Sequence, residues 1–303
     1  MNDKRVFLSV VICTRNRSND TIECLSALVP AKPDRVEIIV VDSASSDQHA
    51  QAIEQYARAF PSFKYLRMEV AGTSLARNAG LNSAIGDWIW WLDDDALPMA
   101  DWPAKVFETI AKADGATAVI GGKIVPKFEV GSDLSKLTDR WRLLLSCIER
   151  SEPGYLSEGA NVACANLLMK RTVALQAGGF SEELGRAPDQ KLTGEESLLI
   201  EQIEDSGFRC AYDPSVVVLH KVSSERLTKE WIRERAYWEG HVRYRVVKRS
   251  NRRLPPALNP IKLWMSIRFF DLLAKFKAED ADLVIRSSLA RGTLDALRQE
   301  AKP

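Results

Sequence analysis

The sequence lacks several features that would place it in a common class of protein. It has no run of about 18 apolar residues, so no membrane-spanning helix is expected. Its five cysteines are odd in number and form no CxxC pair, which argues against a disulfide framework and a zinc site. The N-terminal apolar run leads directly into a polar motif and is predicted to be a first strand rather than a signal peptide. A reducing, cytoplasmic location is therefore expected.

Glycine-rich phosphate loops are also missing. The 303 residues contain neither GxGxxG nor GxxxxGK[ST], so a dinucleotide fingerprint and a P-loop are both disfavoured. A chain of this length that is 46% hydrophobic can bury one large core, or one core with an extension. A phosphate-binding site in this protein would therefore be built from carboxylates and a metal rather than from a glycine cradle.

The net charge of +1 hides an uneven distribution. Residues 226–303 contain 18 Lys and Arg against 9 Asp and Glu, a net charge of +9, whereas residues 1–225 have a net charge of −8. A basic C-terminal segment favours an anionic partner, such as a phospholipid, a lipid pyrophosphate or a nucleic acid. Because the sequence contains no recognised nucleic-acid-binding module, we predict that nucleic acid is not the partner.

One apolar run ends abruptly in three carboxylates. Residues Trp88–Leu92 are apolar, and Asp93, Asp94 and Asp95 follow directly. A buried strand that ends at the rim of a sheet would give this pattern. Adjacent carboxylates repel one another, and a divalent cation such as Mg²⁺ or Mn²⁺, shared with a substrate diphosphate, would relieve the repulsion. The alternative is a solvated acidic turn that caps the next helix.

The N-terminal third of the chain alternates between apolar runs and helical patterns. The predicted strands are Phe7–Cys13, Val36–Val41, Phe63–Met68 and Asp87–Leu92. This alternation predicts a doubly wound α/β domain, in which ligands bind at the carboxyl ends of the strands. Polar residues follow three of the strands, at Thr14–Asn16, Asp42 and Asp93–Asp95, so we expect them to meet at one edge of the sheet.

These clusters and several later motifs resemble those of the family 2 glycosyltransferases, which are inverting sugar-nucleotide transferases with the GT-A fold. The resemblance covers residues 6–222. Its motifs, in chain order, are Val10–Arg17, Ile38–Asp47, Gly72–Gly80, Leu92–Asp95, Ala165–Asn166 with Lys170–Arg171, Gly178–Glu182, Gly194–Glu196 and Tyr212–Pro214 through His220. Each motif is weak alone, and the presence of all of them in this order is specific.

The resemblance implies a fold and a domain organisation. We expect an α/β chain with the GT-A fold, a doubly wound and mostly parallel sheet flanked by helices. Residues 1–225 would form the catalytic domain, with a nucleotide-sugar half at about 1–100 and an acceptor half at about 101–225. Residues 226–303 would form a basic, mainly helical extension.

The resemblance also implies an activity of the bacterial polysaccharide type. The donor would be a nucleoside-diphosphate sugar, UDP- or dTDP-linked, and the acceptor a hydroxyl of a saccharide or a lipid-linked molecule. The product would belong to a cell-surface polysaccharide or a glycolipid.

Roles for individual residues on the donor side follow from the family pattern. The residues implied to bind the nucleotide sugar are Thr14, Arg15, Asn16, Asp42, Arg77, Asn78, Asp93 and Asp94. Asp93, Asp95 and His220 are the implied ligands of Mn²⁺ or Mg²⁺. The alternatives are structural, since Asp42 also suits a turn, Arg77 a solvated helix face, and His220 a hydrogen-bonded strand end.

Inverting transfer needs a general base near the acceptor hydroxyl. Glu196 occupies the position at which the family usually has an aspartate base, and Glu195 is the second candidate. The longer side chain of Glu196 departs from the family pattern. Both carboxylates would also suit the first turn of a helix over Ser197–Asp205, because the helix dipole favours acidic residues there.

Acceptor contacts are expected between the acidic tip and the two glutamates. The candidates are Trp141, Arg142 and Asn166. The indole of Trp141 suits stacking on a sugar face, and it suits equally well a place in a helix core.

The segment 248–277 mixes aromatic, aliphatic and basic residues. This mixture is typical of an amphipathic helix at a membrane interface, so we expect peripheral contact with the inner face of the plasma membrane. The pattern also suits a helix packed on the catalytic domain or on a second subunit, which leaves a homo-oligomer open.

Two other functions stay open. A nucleotidyltransferase shares the α/β wrapping and the paired acids, but Thr14–Arg17 is not the glycine-rich basic loop that it would need. A non-catalytic homologue would bind an anionic partner through the basic tail. The complete set of Asp93–Asp95, Glu195, Glu196 and His220 argues against that second alternative.

Overall fold

The computed structural model describes residues 7–59, 63–157, 160–188, 191–249, 259–276 and 280–300. The strands in these ranges are β1 (Leu8–Thr14), β2 (Val36–Asp42), β3 (Phe63–Arg67), β4 (Trp88–Asp93), β5 (Ala96–Pro98), β6 (Thr117–Phe128), β7 (Gly154–Tyr155), β8 (Leu167–Lys170) and β9 (Arg209–Val222). The first seven helices are α1 (Ser18–Leu28), α2 (Asp47–Ala59), α3 (Thr73–Ser83), α4 (Trp102–Lys112), α5 (Asp139–Leu144), α6 (Arg171–Gln176) and α7 (Glu195–Asp205). The last three are α8 (Lys229–Arg249), α9 (Pro260–Phe276) and α10 (Ala281–Glu300).

The nine described strands form one sheet in the order β3-β2-β1-β4-β8-β6-β9-β5, with β7 beside β9. Strands β3, β2, β1 and β4 are parallel, as the alternating pattern predicts. The chain moves from β1 outward to β3 and then returns to place β4 on the other side of β1, which makes a topological switch point between β1 and β4. Beyond β4 the pairs β4–β8, β6–β8 and β5–β9 are antiparallel.

Both faces of β1 are buried. Val10 and Ile12 belong to one apolar cluster, together with Leu25 of α1, whereas Val11 belongs to the opposite cluster with Trp91. Successive side chains of a strand point to opposite faces, so a strand covered on both sides needs an unbroken apolar sequence. This explains why the predicted strand is a continuous apolar run rather than an alternating one.

The chain divides into two compact units. The first contains Met1–Val125, Ile148–Asp189 and Glu195–Lys221, and the second contains Pro126–Cys147, Gln190–Gly194 and Val222–Pro303. The sequence placed a boundary between residues 225 and 226. The structure assigns two earlier segments to the second unit as well, because their contacts are mainly with the C-terminal helices rather than with the sheet.

Helices α8 and α10 of the second unit cross at two glycines. A Cβ atom at Gly240 would collide with the carbonyl oxygen of Leu289, and one at Gly292 would collide with the carbonyl oxygen of Tyr237. The hydroxyl of Thr293 donates to the carbonyl oxygen of Gly240 at 3.0 Å. Backbone therefore packs directly on backbone at this crossing, and neither glycine can be replaced without moving a helix.

The cysteines and the helices both bear on expectations from composition. All five cysteines are free thiols, and four of them are buried. Within the described ranges, every helix is too short or too polar to cross a bilayer. Residues 250–258 and 277 of the predicted membrane-contact segment lie outside the described residues, whereas α9 covers most of the remainder.

Candidate active site

The parallel strands bring the polar clusters to one edge of the sheet. Thr14 at the end of β1 is in register with Asp42 at the end of β2, and Cys13 is in register with Asp93 at the end of β4. Each apolar strand therefore ends at the same level, and the polar residue that follows each strand lies beside its neighbours. The convergence expected from the sequence is confirmed, and it lies at the topological switch point.

Arg17 binds the acidic tip. Its guanidinium donates from Nη1 to Asp94 Oδ1 at 2.8 Å and from Nη2 to Asp95 Oδ2 at 2.9 Å. A third bond runs from Nε to Asp20 at 3.0 Å, in the first turn of α1. Asp94 and Asp95 are 5% and 2% exposed, so the forked cation offsets much of their mutual repulsion. This role of Arg17 was not predicted from the sequence, in which Arg17 is the last residue of the motif Val10–Arg17.

Asp94 is held by both the strand end and the turn. Its Oδ2 atom accepts a hydrogen bond from the hydroxyl of Thr14 at 2.8 Å, and Thr21 donates to that hydroxyl at 2.8 Å. Burial raises the pKa of Asp94 to about 7, while the charge of Arg17 opposes the shift. The hydroxyl of Thr14, which was predicted to contact the nucleotide, therefore donates its hydrogen bond to Asp94.

Arg15 and Asn16 form the turn that follows β1. Arg15 is exposed, and Asn16 has a left-handed backbone with φ of 55°. The backbone N–H of Asn16 donates to Ser45 Oγ, and its side-chain oxygen accepts from the N–H of Ser46, both at 2.8 Å. Asn16 therefore joins this turn to the one after β2, and asparagine tolerates the positive φ well.

The carboxylate of Asp42 is fully buried and already has two donors. Its Oδ1 atom accepts from the N–H of Ser45 at 2.8 Å, and Oδ2 accepts from the hydroxyl of Tyr65 at 2.7 Å. Burial and this bond raise the pKa of Tyr65, which keeps its proton on the hydroxyl. These contacts favour the turn interpretation of Asp42 over direct contact with a nucleotide base.

One group of side chains in the described residues has the composition and spacing of a divalent-metal site. Ligand atoms of Asp93, Asp95 and His220 all lie within 4.8 Å of one another. His220 reaches the tip because β9 pairs with β5, which places it opposite Ala96. Its Nε2 atom lies 3.1 Å from Asp95 Oδ1. Two carboxylates and an imidazole suit Mn²⁺, and the 41% exposed side chain of Asp93 leaves the group open on one side.

Arg77 of α3 lies between the acidic tip and the two glutamates of α7. It is 8% exposed, its Nη1 atom forms an ion pair with Glu195, and Glu196 Oε2 lies 3.9 Å from the same nitrogen. On its other side, Nη2 lies 3.6 Å from Asp93 Oδ1. A single buried cation therefore faces three carboxylates that come from β4 and α7. The sequence predicted Arg77 near a diphosphate and did not predict its contact with the glutamates.

Glu196 has the properties of a carboxylate that can accept a proton near neutral pH. Burial and the charge of Glu195 raise its pKa to about 7, while Arg77 opposes the shift. Its Oε2 atom is buried and accepts no hydrogen bond from the described residues. The observed helix begins at Glu195, so both glutamates lie in its first turn, as the alternative interpretation also expected.

Two of the predicted contact residues have structural bonds instead of an open face. Asn78 donates to the carbonyl oxygen of Phe180 and accepts from its N–H, both at 2.8 Å. Asn166 is 1% exposed and bonds to Trp90, Lys123 and Val216. These contacts use the donors and acceptors of both amides and favour a packing role.

Trp141 and Arg142 lie on α5, in the second compact unit. The indole of Trp141 is 4% exposed, packs in the apolar cluster of that unit, and donates to the carbonyl oxygen of Arg226 at 3.1 Å. This favours the core interpretation of Trp141. Arg142 is half-buried.

A family model decides the classification. The model of glycosyl transferase family 2 matches residues 9–172, which is more than half of the chain. The chain belongs to glycosyltransferase family 2. The matched region of this glycosyltransferase contains β1, β2 and β4 with the acidic tip, and the predicted family and enzyme class are confirmed.

Relatives of this glycosyltransferase are similar over most of its length. The glucosyl-dolichyl phosphate glucuronosyltransferase of Haloferax volcanii is 26% identical, over 77% of this chain and 75% of its own. The succinoglycan biosynthesis protein ExoM of Rhizobium meliloti is 24% identical, over 86% of this chain and 81% of its own.

Solved structures share the fold. The mannosyltransferase PcManGT from Pyrobaculum calidifontis, in complex with GDP-Man and Mn²⁺, has a TM-score of 0.67 at 18% identity and covers 98% of this chain and 88% of its own. S. aureus TarS 1-349 has a TM-score of 0.54 at 17% identity, over 97% of this chain and 92% of its own. This glycosyltransferase therefore has the GT-A fold, as predicted.

Proposed function

We propose that the chain transfers a sugar from a nucleoside-diphosphate sugar to an acceptor hydroxyl, with inversion at the anomeric carbon. The proposal rests on the position of Arg77. This residue lies between the candidate metal ligands Asp93, Asp95 and His220, which are open on one side, and the two glutamates of α7. A donor diphosphate and an acceptor hydroxyl need these two environments side by side. The fold neighbours in complex with GDP-Man, UDP or UDP-GlcNAc support a nucleotide-sugar donor.

The donor side of the site is built from cations and a divalent-metal group. Asp93, Asp95 and His220 would hold Mn²⁺ or Mg²⁺, since their ligand atoms lie close together and Asp93 is open to solvent. A divalent cation there supplies a Lewis acid that offsets the negative charge of the departing nucleoside diphosphate. Arg17 keeps Asp94 and Asp95 in place. We assign the donor base to uridine or thymidine, as the family resemblance implies.

The acceptor side depends on Glu196. Its carboxylate takes the proton of the acceptor hydroxyl while that oxygen forms a bond to the anomeric carbon. The bond from this carbon to the diphosphate oxygen breaks on the opposite face, and the electron pair leaves with the diphosphate. Arg77 forms an ion pair with Glu195 and lies 3.9 Å from Glu196, so the two adjacent carboxylates have different environments. A pKa of about 7 gives Glu196 a useful basicity at neutral pH.

The acceptor belongs to cell-surface polysaccharide or glycolipid synthesis in this proposal. Of the two relatives compared above, one is named for a dolichyl phosphate substrate and the other for succinoglycan biosynthesis. A saccharide and a lipid-linked saccharide are therefore the two acceptor classes to assay.

Nucleotide-dependent thermal stabilisation tests the donor site. The melting temperature is measured with UDP, dTDP, GDP and CDP, each with and without Mn²⁺, because a ligand that binds only the native state raises it by mass action. We expect a metal-dependent rise with one nucleotide, and the loss of that rise in Asp95→Ala. The matched control is Asp34→Ala, which removes an exposed aspartate outside the site.

The stereochemistry tests the reaction. The product made from the stabilising donor should have the anomeric configuration opposite to that of the donor, as measured by NMR coupling constants. Retained configuration would overturn the inverting mechanism. Failure of every nucleotide to stabilise the protein would favour the non-catalytic alternative.

A further inference from the structure

Helix α9 has an exposed apolar face. Its members are Ile261, Trp264, Met265, Phe269 and Leu272, and each side chain is at least half exposed. Their spacing of three, four, eight and eleven residues from the first one places them on one side of a helix. A contiguous apolar face of this kind on the surface marks an interaction site, whereas single exposed apolar residues are common. We refer to these five side chains as the α9 face.

The other side of α9 is packed within its own unit. Leu263 and Ile267 are each 7% exposed and form an apolar cluster with Ala290 and Leu294 of α10. Asp271 is an ion-pair partner of Arg291, also on α10. The helix is therefore already fixed on the protein, so the α9 face is not simply the inner side of an undocked helix.

Two exposed basic side chains, Lys262 and Arg268, lie on the same helix as the α9 face. The segment 248–277 contains eight Lys and Arg against one acidic residue, Asp271. Within the face, Arg268 is exposed and its guanidinium lies 5.5 Å from the centre of the Trp264 ring. Lys262 is exposed beside it. Asp271, the one acidic residue of the segment, is engaged by Arg291, so Lys262 and Arg268 are the exposed charges that the described side chains of α9 add beside the face.

An apolar groove continues the α9 face towards α10. It has a volume of about 370 Å³ and is lined by Pro260, Ile261, Trp264, Leu294, Leu297 and Arg298. The only charged side chain among these lining residues is Arg298. Arg298 also forms an ion pair with Asp295 at 3.8 Å, so the groove offers mainly apolar walls, which suit a hydrocarbon chain.

We infer that the α9 face docks on an anionic lipid bilayer, with its apolar side chains among the acyl chains and the surrounding cations at the head groups. Tryptophan and phenylalanine are favoured at this depth, and basic side chains near an anionic surface strengthen the attachment. The inference rests on α9 and its surroundings and does not depend on the proposed reaction.

A second copy of the chain fits the face less well. In a symmetric dimer the same patch lies on both sides, so Arg268 and Lys262 would approach their own copies without an acidic partner on the face. A bilayer that contains anionic lipid supplies both the apolar layer and the opposite charge. Charge complementarity therefore favours lipid over self-association.

Vesicle cosedimentation tests the inference with the full-length chain. The bound fraction is measured on vesicles of phosphatidylcholine alone and of phosphatidylcholine with phosphatidylglycerol. The double variant Trp264→Glu/Phe269→Glu places two acids in the face, and Lys262→Gln/Arg268→Gln removes two of its cations. The matched control is Val130→Glu, which adds an acid at a fully exposed apolar residue elsewhere in the second unit. Melting temperatures establish that each variant is folded.

We expect the wild-type chain and Val130→Glu to bind the anionic vesicles equally. Each double variant should bind them at least about tenfold more weakly, a difference of about 1.4 kcal/mol, because each alters two of the side chains that contact the bilayer. Three results would overturn the inference. They are no binding by the wild-type chain, equal binding by all variants, and a concentration-dependent dimer in sedimentation equilibrium that the double variants abolish.

Discussion

Arg17 donates to Asp95 across 2.9 Å and so joins the turn after β1 to the acidic tip after β4. The same guanidinium holds Asp94, and both carboxylates are almost fully buried. A cation placed in this way stabilises the tip before any ligand arrives. We therefore expect the removal of Arg17 to change the free energy of unfolding more readily than the rate of the reaction.

Replacing Arg17 with glutamine should lower the free energy of unfolding by about 2 kcal/mol. The variant leaves buried carboxylates without their cation, and the 36% exposed guanidinium moderates the loss. Urea denaturation at neutral pH measures the change. The control Arg15→Gln removes an exposed arginine from the same turn and should change the value by less than about 0.5 kcal/mol. Equal losses in both variants would contradict a specific role for Arg17.

Replacing each glutamate of α7 separates the base from its neighbour. Glu196→Gln should reduce kcat by a factor of about 10² to 10⁴ and leave the nucleotide-dependent melting shift in place, because only the proton acceptor is lost. Glu195→Gln should lower stability, because it leaves the buried Arg77 without its closest carboxylate. The opposite pattern would identify Glu195 as the base.

The pH profile should report the carboxyl of Glu196. A base acts only when deprotonated, so kcat/KM should rise about tenfold per pH unit below a pKa of about 7 and level off above it. Rates measured from pH 5 to 9 would show this limb. If the residual rate of Glu196→Gln had the same limb, the limb would belong to another group.

The raised pKa of Glu196 also affects stability. A rise in pH that increases the activity should decrease the stability of the folded state. Between the usual glutamate pKa of 4.5 and about 7, the Glu196 carboxyl holds a proton in the folded state that the unfolded state has released. This group therefore makes the protein less stable as the pH rises through that window. Melting temperatures of wild type and Glu196→Gln should converge at the acidic end of the window and separate at pH 8, with the variant more stable.

The crossing of α8 and α10 should not tolerate a methyl group. Gly292→Ala would push a Cβ atom into the carbonyl oxygen of Tyr237 and should lower the free energy of unfolding by about 2 kcal/mol or more. Gly115→Ala is the matched control, because a Cβ atom there meets nothing within 4 Å. Chemical denaturation followed by circular dichroism measures both. A neutral Gly292→Ala would mean that the helices separate easily.

The sequence predicts those parts of the site that are local. Apolar runs that end in polar residues locate the tips of β1, β2 and β4, and the parallel pairing then brings Thr14, Asp42 and Asp93 together. Long-range partners are harder to predict, because they depend on side-chain direction after folding. The bond from Tyr65 to Asp42 joins residues 23 positions apart, and the pair of bonds between Asn78 and Phe180 joins residues 102 apart.

The division of the chain into two units is also only partly predictable from the sequence, because it depends on long-range packing. A boundary near residue 225 is implied by the end of the family resemblance and coincides with the change in charge. The membership of Pro126–Cys147 in the second unit depends on how Trp141 and Leu145 pack with Ile232 and Ile285. Nothing in the local pattern of that segment indicates which core its aromatic and aliphatic side chains will join.

The two-sided burial of β1 restricts insertions and deletions more than it restricts substitutions. One residue added or removed between Leu8 and Thr14 would exchange the side chains of Val10 and Val11 between the two cores. It would also carry Arg17 away from the acidic tip. We therefore expect homologues to keep the length of β1 and its turn fixed while its aliphatic residues interchange freely, so that evolutionary change in this strand proceeds by replacement alone.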